Sequence, residues 1–77
     1  MNEKINEQAL AKLKGKLNSD VVSLSLRTTT PLNSEHFDQL RHWGGTLLYD
    51  SGIVAVVEIP AGRIEELAAW DTVLEII

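Results

Sequence analysis

The residues able to do chemistry in this chain are few. There are two histidines, His36 and His42, six positions apart. That spacing puts them on different faces of a helix. Asp38 and His42 stand four apart and share a face, but two ligands on an exposed helix make a weak metal site. A nucleophilic serine site or a carboxylate pair is defined by geometry. The serines such a site would draw on, Ser23, Ser25, Ser34 and Ser51, fall in strands, a helix cap and a turn, where local roles explain them. Glu65 and Glu66 read as the wet side of a helix. No phosphate-cradling glycine pattern is present: "HWGG" reads as a helix stop and "PAGR" as a helix start. A chain this short has little room for a substrate pocket. The expectation is a protein that is not an enzyme, with no metal and no cofactor.

The bulk properties narrow the partners. The chain has 77 residues, no cysteine and a net charge of −4. It is therefore expected to form one domain, with neither disulfide nor thiolate metal site to support it. A domain of this size is marginal unless its core is compact or a partner helps. The seven Lys and Arg residues are scattered among eleven acidic ones, which argues against nucleic acid and anionic membrane as partners. The start, "MNEKINEQAL", lacks the apolar region of a signal peptide. The longest wholly apolar run, Ile53 to Val57, is far too short to cross a bilayer. A cytoplasmic location is the default expectation.

The elements that must position these residues follow from periodicity. Residues 2–18 carry Ile5, Ala9, Leu10, Leu13 and Leu17 at helical spacing. "VVSLSLR" (21–27) alternates, with Val22, Leu24 and Leu26 on one face and Val21, Ser23, Ser25 and Arg27 on the other. "LNSEHFDQLRHWGG" is a second helix, capped by Asn33 or Ser34 and ended by Gly44 and Gly45. "TLLYD" and "IVAVVEI" flank a tight Asp50-Ser51-Gly52 turn and form a hairpin. Pro60 opens a third helix that closes at Asp71, and "TVLEII" is the last strand. Trp43 and Trp70 each sit at a helix end, where core or rim packing is the leading expectation and a binding hot spot the alternative.

The order after the first helix is β-α-β-β-α-β. The fold class expected is therefore α+β, a ferredoxin-like arrangement with a four-stranded antiparallel sheet and an extra N-terminal helix. Residues 1–19 form that amphipathic helix and 20–77 the sheet-bearing unit of a single domain. Both later helices fall on one face of the sheet. Val21, Val54, Val56 and one of Leu47 and Leu48 lie on the other face, too apolar to stay bare. Either the first helix folds over them with Leu10, Leu13 and Leu17, or a second copy or another protein does. The face has no aromatic residue at its central positions, so stacked bases are not its expected ligand.

From Val21 to Ile77 the chain resembles the subtilase propeptide-like domains, the peptidase-inhibitor family related to subtilisin propeptides. The alternating "VVSLSL" strand is followed by Leu32, Phe37 and Leu40 in an L-x-x-x-x-F-x-x-L helix. Gly44 and Gly45 then lead into "TLLYDSGIVAVVEIP". The close, "AGRIEELAAWDTVLEI", is similar to the family's last helix and strand at Ile59, Pro60, Ile64, Leu67, Ala68, Val73 and Ile76. The resemblance spans about three quarters of the chain. It implies a protein that assists folding of a subtilisin-like protease and inhibits it, with the outer sheet face packed on two protease surface helices. On that reading Val21, Ser23, Ser25, Val54 and Val56 match the docking face. Leu74, Glu75, Ile76 and Ile77 match the segment leading toward the protease cleft.

Two departures shape the expectation. With Ile77 as the last residue read, a propeptide role in cis is not expected, and the inhibitory tail is expected to be missing or reduced to a residue or two. The helix at 2–18 lies outside the family's pattern, and over the sheet it would occupy the docking face. The leading expectation is a stand-alone inhibitor or folding helper of a subtilisin-like protease. The alternative is a self-associating structural module of the same fold, homodimeric or sealed by its own first helix, without protease inhibition.

Overall fold

The computed structural model describes residues 3–77. The chain is α+β, with three α-helices and one four-stranded antiparallel open sheet. The elements run α1 (Glu7–Leu13), β1 (Val21–Thr28), α2 (Ser34–His42), β2 (Thr46–Asp50), β3 (Val54–Pro60), α3 (Ile64–Ala68) and β4 (Val73–Ile76), with a 3-10 turn at Ala61–Arg63 before α3. The sheet order is β2-β3-β1-β4, so the hairpin β2-β3 lies on one side and β1 carries β4 on the other.

The alternation in β1 and β3 sets the two faces. Val22, Leu24 and Leu26 pair with Ile59, Val57 and Ala55, and all six are buried. Ile76 pairs with Leu26 and continues that face into β4. Leu40 and Trp43 of the α2 end, with Ile64 and Leu67 of α3, close the same core. Burying a Leu or Ile side chain contributes about 1.5–3 kcal/mol, so these positions carry most of the domain's stability.

The first helix is shorter than its periodicity suggests, and it lies elsewhere. Residue 2 of the expected span falls outside the described residues. Lys4 lies in a turn, Ile5 forms a parallel bridge with Ile76, and Asn6 is extended. The Asn6 amide donates to the Ile76 carbonyl (2.9 Å) and the Ile76 amide to the Lys4 carbonyl (2.7 Å). Asn6 then caps α1, its side chain accepting from the Gln8 amide at 2.8 Å. Gly15, at φ 77°, stands just past the helix end, a conformation that side-chain-bearing residues avoid. Ile5 and Ala9 enter the main core, Leu10 and Leu13 pack at its margin, and Leu17 is 70% exposed. Of the alternatives considered for covering the outer face, the one in which Leu10, Leu13 and Leu17 fold over it is not what the structure has: Leu17 is exposed and Leu10 and Leu13 pack against the core. Pairing with β4 gives residues 4–6 backbone partners, and that tether delivers α1 to the core.

Helix α2 matches its signals closely. Asn33 caps it with a reciprocal pair: its side chain accepts from the His36 amide (3.2 Å), and His36 Nδ1 accepts from the Asn33 amide (3.1 Å). Histidine here takes the place that Glu or Gln usually fills in a capping box. Gly44 and Gly45 serve different needs. Gly44 takes φ 81°, while a Cβ on Gly45 would lie 2.5 Å from the Glu58 carbonyl oxygen.

Candidate protein-binding face

Every other residue of the central strands points away from the core. In β1 these are Val21, Ser23, Ser25 and Arg27; in β3 they are Val54, Val56 and Glu58. Across the sheet they form rows: Val21 beside Pro60, Ser23 beside Glu58, Ser25 beside Val56, Arg27 beside Val54. All five residues expected on this face from β1 and β3 (Val21, Ser23, Ser25, Val54, Val56) stand on it. Val21 is 53% and Val54 41% exposed, and Ser25 and Val56 are half-buried. No described helix crosses them.

Strand β2 adds a residue that alternation misplaces. The register slips between Leu47 and Tyr49: Leu47 pairs with Val57 on the core side, and Tyr49 pairs with Val56 on the outer side. Leu48 is the extra residue of this bulge, 51% exposed. A regular strand would have put Leu47 and Tyr49 on one face. Tyr49, 56% exposed beside Val56, therefore puts an aromatic on a face expected to hold none centrally, although it stands on the edge strand. The odd count that creates it depends on pairing with β3, and nothing local in "TLLYD" signals it.

The far row carries charge. Arg27 meets Glu75 at 3.5 Å, and Glu75 also accepts from the Asn6 side chain at 2.9 Å. Arg27 is the only cationic residue in the four strands. The face is thus a small apolar centre of Val54, Val56 and Tyr49, bounded by an ion pair at one end and Glu58 at the other. That composition fits a protein surface better than a phosphate backbone.

Leu74, Glu75 and Ile76 belong to β4 and Ile77 directly follows it, each with a distinct setting. Leu74 is 49% exposed, Glu75 is half-buried on the outer face, and Ile76 is fully buried. Ile77 exchanges two backbone bonds with Ser25 (2.9 and 2.8 Å). Lys12 Nζ donates to the Ile77 carbonyl at 3.1 Å.

Two of the residues first considered for chemistry, His36 and Asp38, have partners of other kinds. His36 is occupied in the α2 cap, and its ring lies 4.5 Å from that of Trp70, which stacks on Trp43 at 5.5 Å. Asp38 pairs with Arg41, not with His42. Among the described residues no three His, Cys, Asp or Glu side chains converge as a metal site. An open cleft of about 490 Å³ lies beside Trp70 and His36, rimmed by Thr29, Thr30 and Thr72. Its hydroxyls bind one another: Thr72 Oγ1 accepts from the Thr30 amide at 3.1 Å and lies 2.9 Å from Thr30 Oγ1. They tie the loop after β1 to the start of β4. No described helix is long and apolar enough to cross a membrane.

No protein-family model, curated protein or solved structure matches the chain.

Proposed function

We propose that this chain is a non-enzymatic protein-binding domain of ferredoxin-like topology. Its outer sheet face docks on a subtilisin-like serine protease, which it inhibits or helps to fold. The observation that carries this reading is the bare outer face. Val21, Val54 and Tyr49 stay exposed although a helix is available, because that helix sends Ala9 into the core and its segment reaches only the Val21–Ser23 end of the face, through Lys12 and Lys16. The strand order β2-β3-β1-β4 supports the topology, and the residue pattern from Val21 to Ile77 supports the class of partner. Apolar contact at Val54 and Val56 supplies the affinity, with Arg27, Glu58 and Glu75 at the rim orienting it.

The test is direct. Purified protein is titrated into subtilisin-like proteases encoded in the same organism, and both residual activity and refolding rate are followed. The expected result is inhibition or faster refolding, lost on Val54→Asp or Val56→Asp. A protein that neither slows nor refolds any of these proteases overturns the proposal.

A further inference from the structure

The two edges of the sheet are finished differently. At the β4 edge, residues 4–6 pair with Ile76. At the β2 edge nothing among the described residues lies outside the strand. "TLLYD" contains no Lys, Arg or Pro, and its guards against pairing are its short length, Asp50 and the bulge at Leu48.

The hydrogen-bond pattern defines what this edge presents. Ser25 bonds Ile77 through both its backbone groups, so odd residues of β1 turn toward β4 and even ones toward β3. Val22, Leu24 and Leu26 face Ile59, Val57 and Ala55. Even residues of β3 must then turn toward β2, where Thr46 and Tyr49 oppose Glu58 and Val56. Leu47 and Asp50, opposite Val57 and Ala55, direct their N–H and C=O groups outward. The bulge makes them three apart in sequence, yet they span two residues of β3, about 7 Å, the spacing of a regular ladder.

We propose that the β2 edge is a self-association site, at which a second copy of this chain adds its own β2 antiparallel. Leu47 of each copy lies opposite Asp50 of the other, closing four backbone bonds about a two-fold axis. The register is also matched in charge. Leu47 borders a groove of about 390 Å³ between α2 and β2 that is lined by Phe37, Leu40, Arg41, Gly45 and Thr46. Asp50 of the second copy sits at this groove, beside Arg41, and the symmetry makes the contact twice. Asp50 Oδ1 already accepts from the Gly52 amide at 3.0 Å, which leaves Oδ2 for Arg41, whose guanidinium has further N–H donors beyond the one paired with Asp38 of its own chain. The exposed Leu48 adds apolar contact. The result is an eight-stranded sheet that keeps both outer faces on one side, so this association is independent of the protease reading.

An edge contact of this size sits at the small end of specific interfaces and gives a weak dimer. Sedimentation equilibrium over about ten micromolar to one millimolar should therefore show a monomer–dimer transition. Leu47 and Asp50 amides should gain exchange protection with concentration. Arg41→Glu, which turns two attractive contacts repulsive, should weaken the dimer about tenfold. Asp50→Asn, which keeps the Gly52 bond, should weaken it less, and Arg41→Glu combined with Asp50→Arg should restore it. A monomer across the whole range, or a dimer indifferent to Arg41→Glu and Asp50→Asn, overturns the proposal. So does a dimer broken instead by Val54→Asp on the outer face.

Discussion

Thr28 and Thr72 are both buried near the β1–β4 junction, and their hydroxyls fare oppositely. Thr72 Oγ1 receives the Thr30 amide, reaches the Thr30 carbonyl at 2.9 Å and touches two neighbouring hydroxyls. Thr28 Oγ1, in a side chain 2% exposed, has no hydrogen-bond partner among the described residues. A buried polar atom left unpaired costs about 1–3 kcal/mol, whereas a made bond contributes about 1. Thr28→Val is isosteric, keeps the β-branched shape and should raise the urea midpoint, by the equivalent of about 1 kcal/mol. Thr72→Val should lower it by about 1–3 kcal/mol, since it strands the Thr30 amide. Sequence alone cannot separate them: in "RTTT" and "DTVL" both read as β-branched polar residues near a strand end. Their difference comes from contacts 42 and 43 residues away.

Among the elements, the N-terminal segment departs most from its pattern. Its periodic residues divide into those that reach the core (Ile5, Ala9) and one that does not, Leu17. Ile5 is 6% exposed and bridges Ile76, so Ile5→Ala should cost about 2–4 kcal/mol. Leu17→Ala, at a position 70% exposed, should stay within about 0.5 kcal/mol. Chemical denaturation of the two variants checks this contrast. A helix running to residue 18 over the outer face would make Leu17 the costlier of the two. Helix α3 is also shorter than the expected span from Pro60 to Asp71, since Pro60 closes β3 and only Ile64–Ala68 is α-helical, whereas α2 and the hairpin were readable from their own signals. Asn33 precedes α2, the Gly44–Gly45 pair follows it, and the Asp50-Ser51-Gly52 corner separates β2 from β3. The bulge at Leu48 was not readable, because it depends on how β2 registers against β3.

At the scale of the whole molecule, the outer face and the β2 edge are two surfaces that the described residues leave open. Exposed apolar positions can change to charge with little effect on folding, whereas core positions cannot. Val54→Asp should therefore shift the denaturation midpoint by no more than about 1 kcal/mol while abolishing partner binding. Val57→Asp, fully buried one row inward, should unfold the domain. Circular dichroism melts of the two variants distinguish a binding surface from a structural one. A Val54 variant that unfolds like Val57 would show that the outer face is held in the folded monomer.

Composition and periodicity by themselves determined the α+β class, the order of the strands along the chain and the five outward residues of β1 and β3. They did so because alternation in "VVSLSLR" and "VAVVEI" survives any pairing that buries one face. Tertiary structure alone decided where the N-terminal helix goes, which side Tyr49 takes and which threonine is satisfied. Each of these is set by a backbone or side-chain partner distant in sequence: Ile76 for Ile5, Val56 for Tyr49, Thr30 for Thr72. A local pattern states that a residue needs a partner, and only the folded chain determines which one it meets.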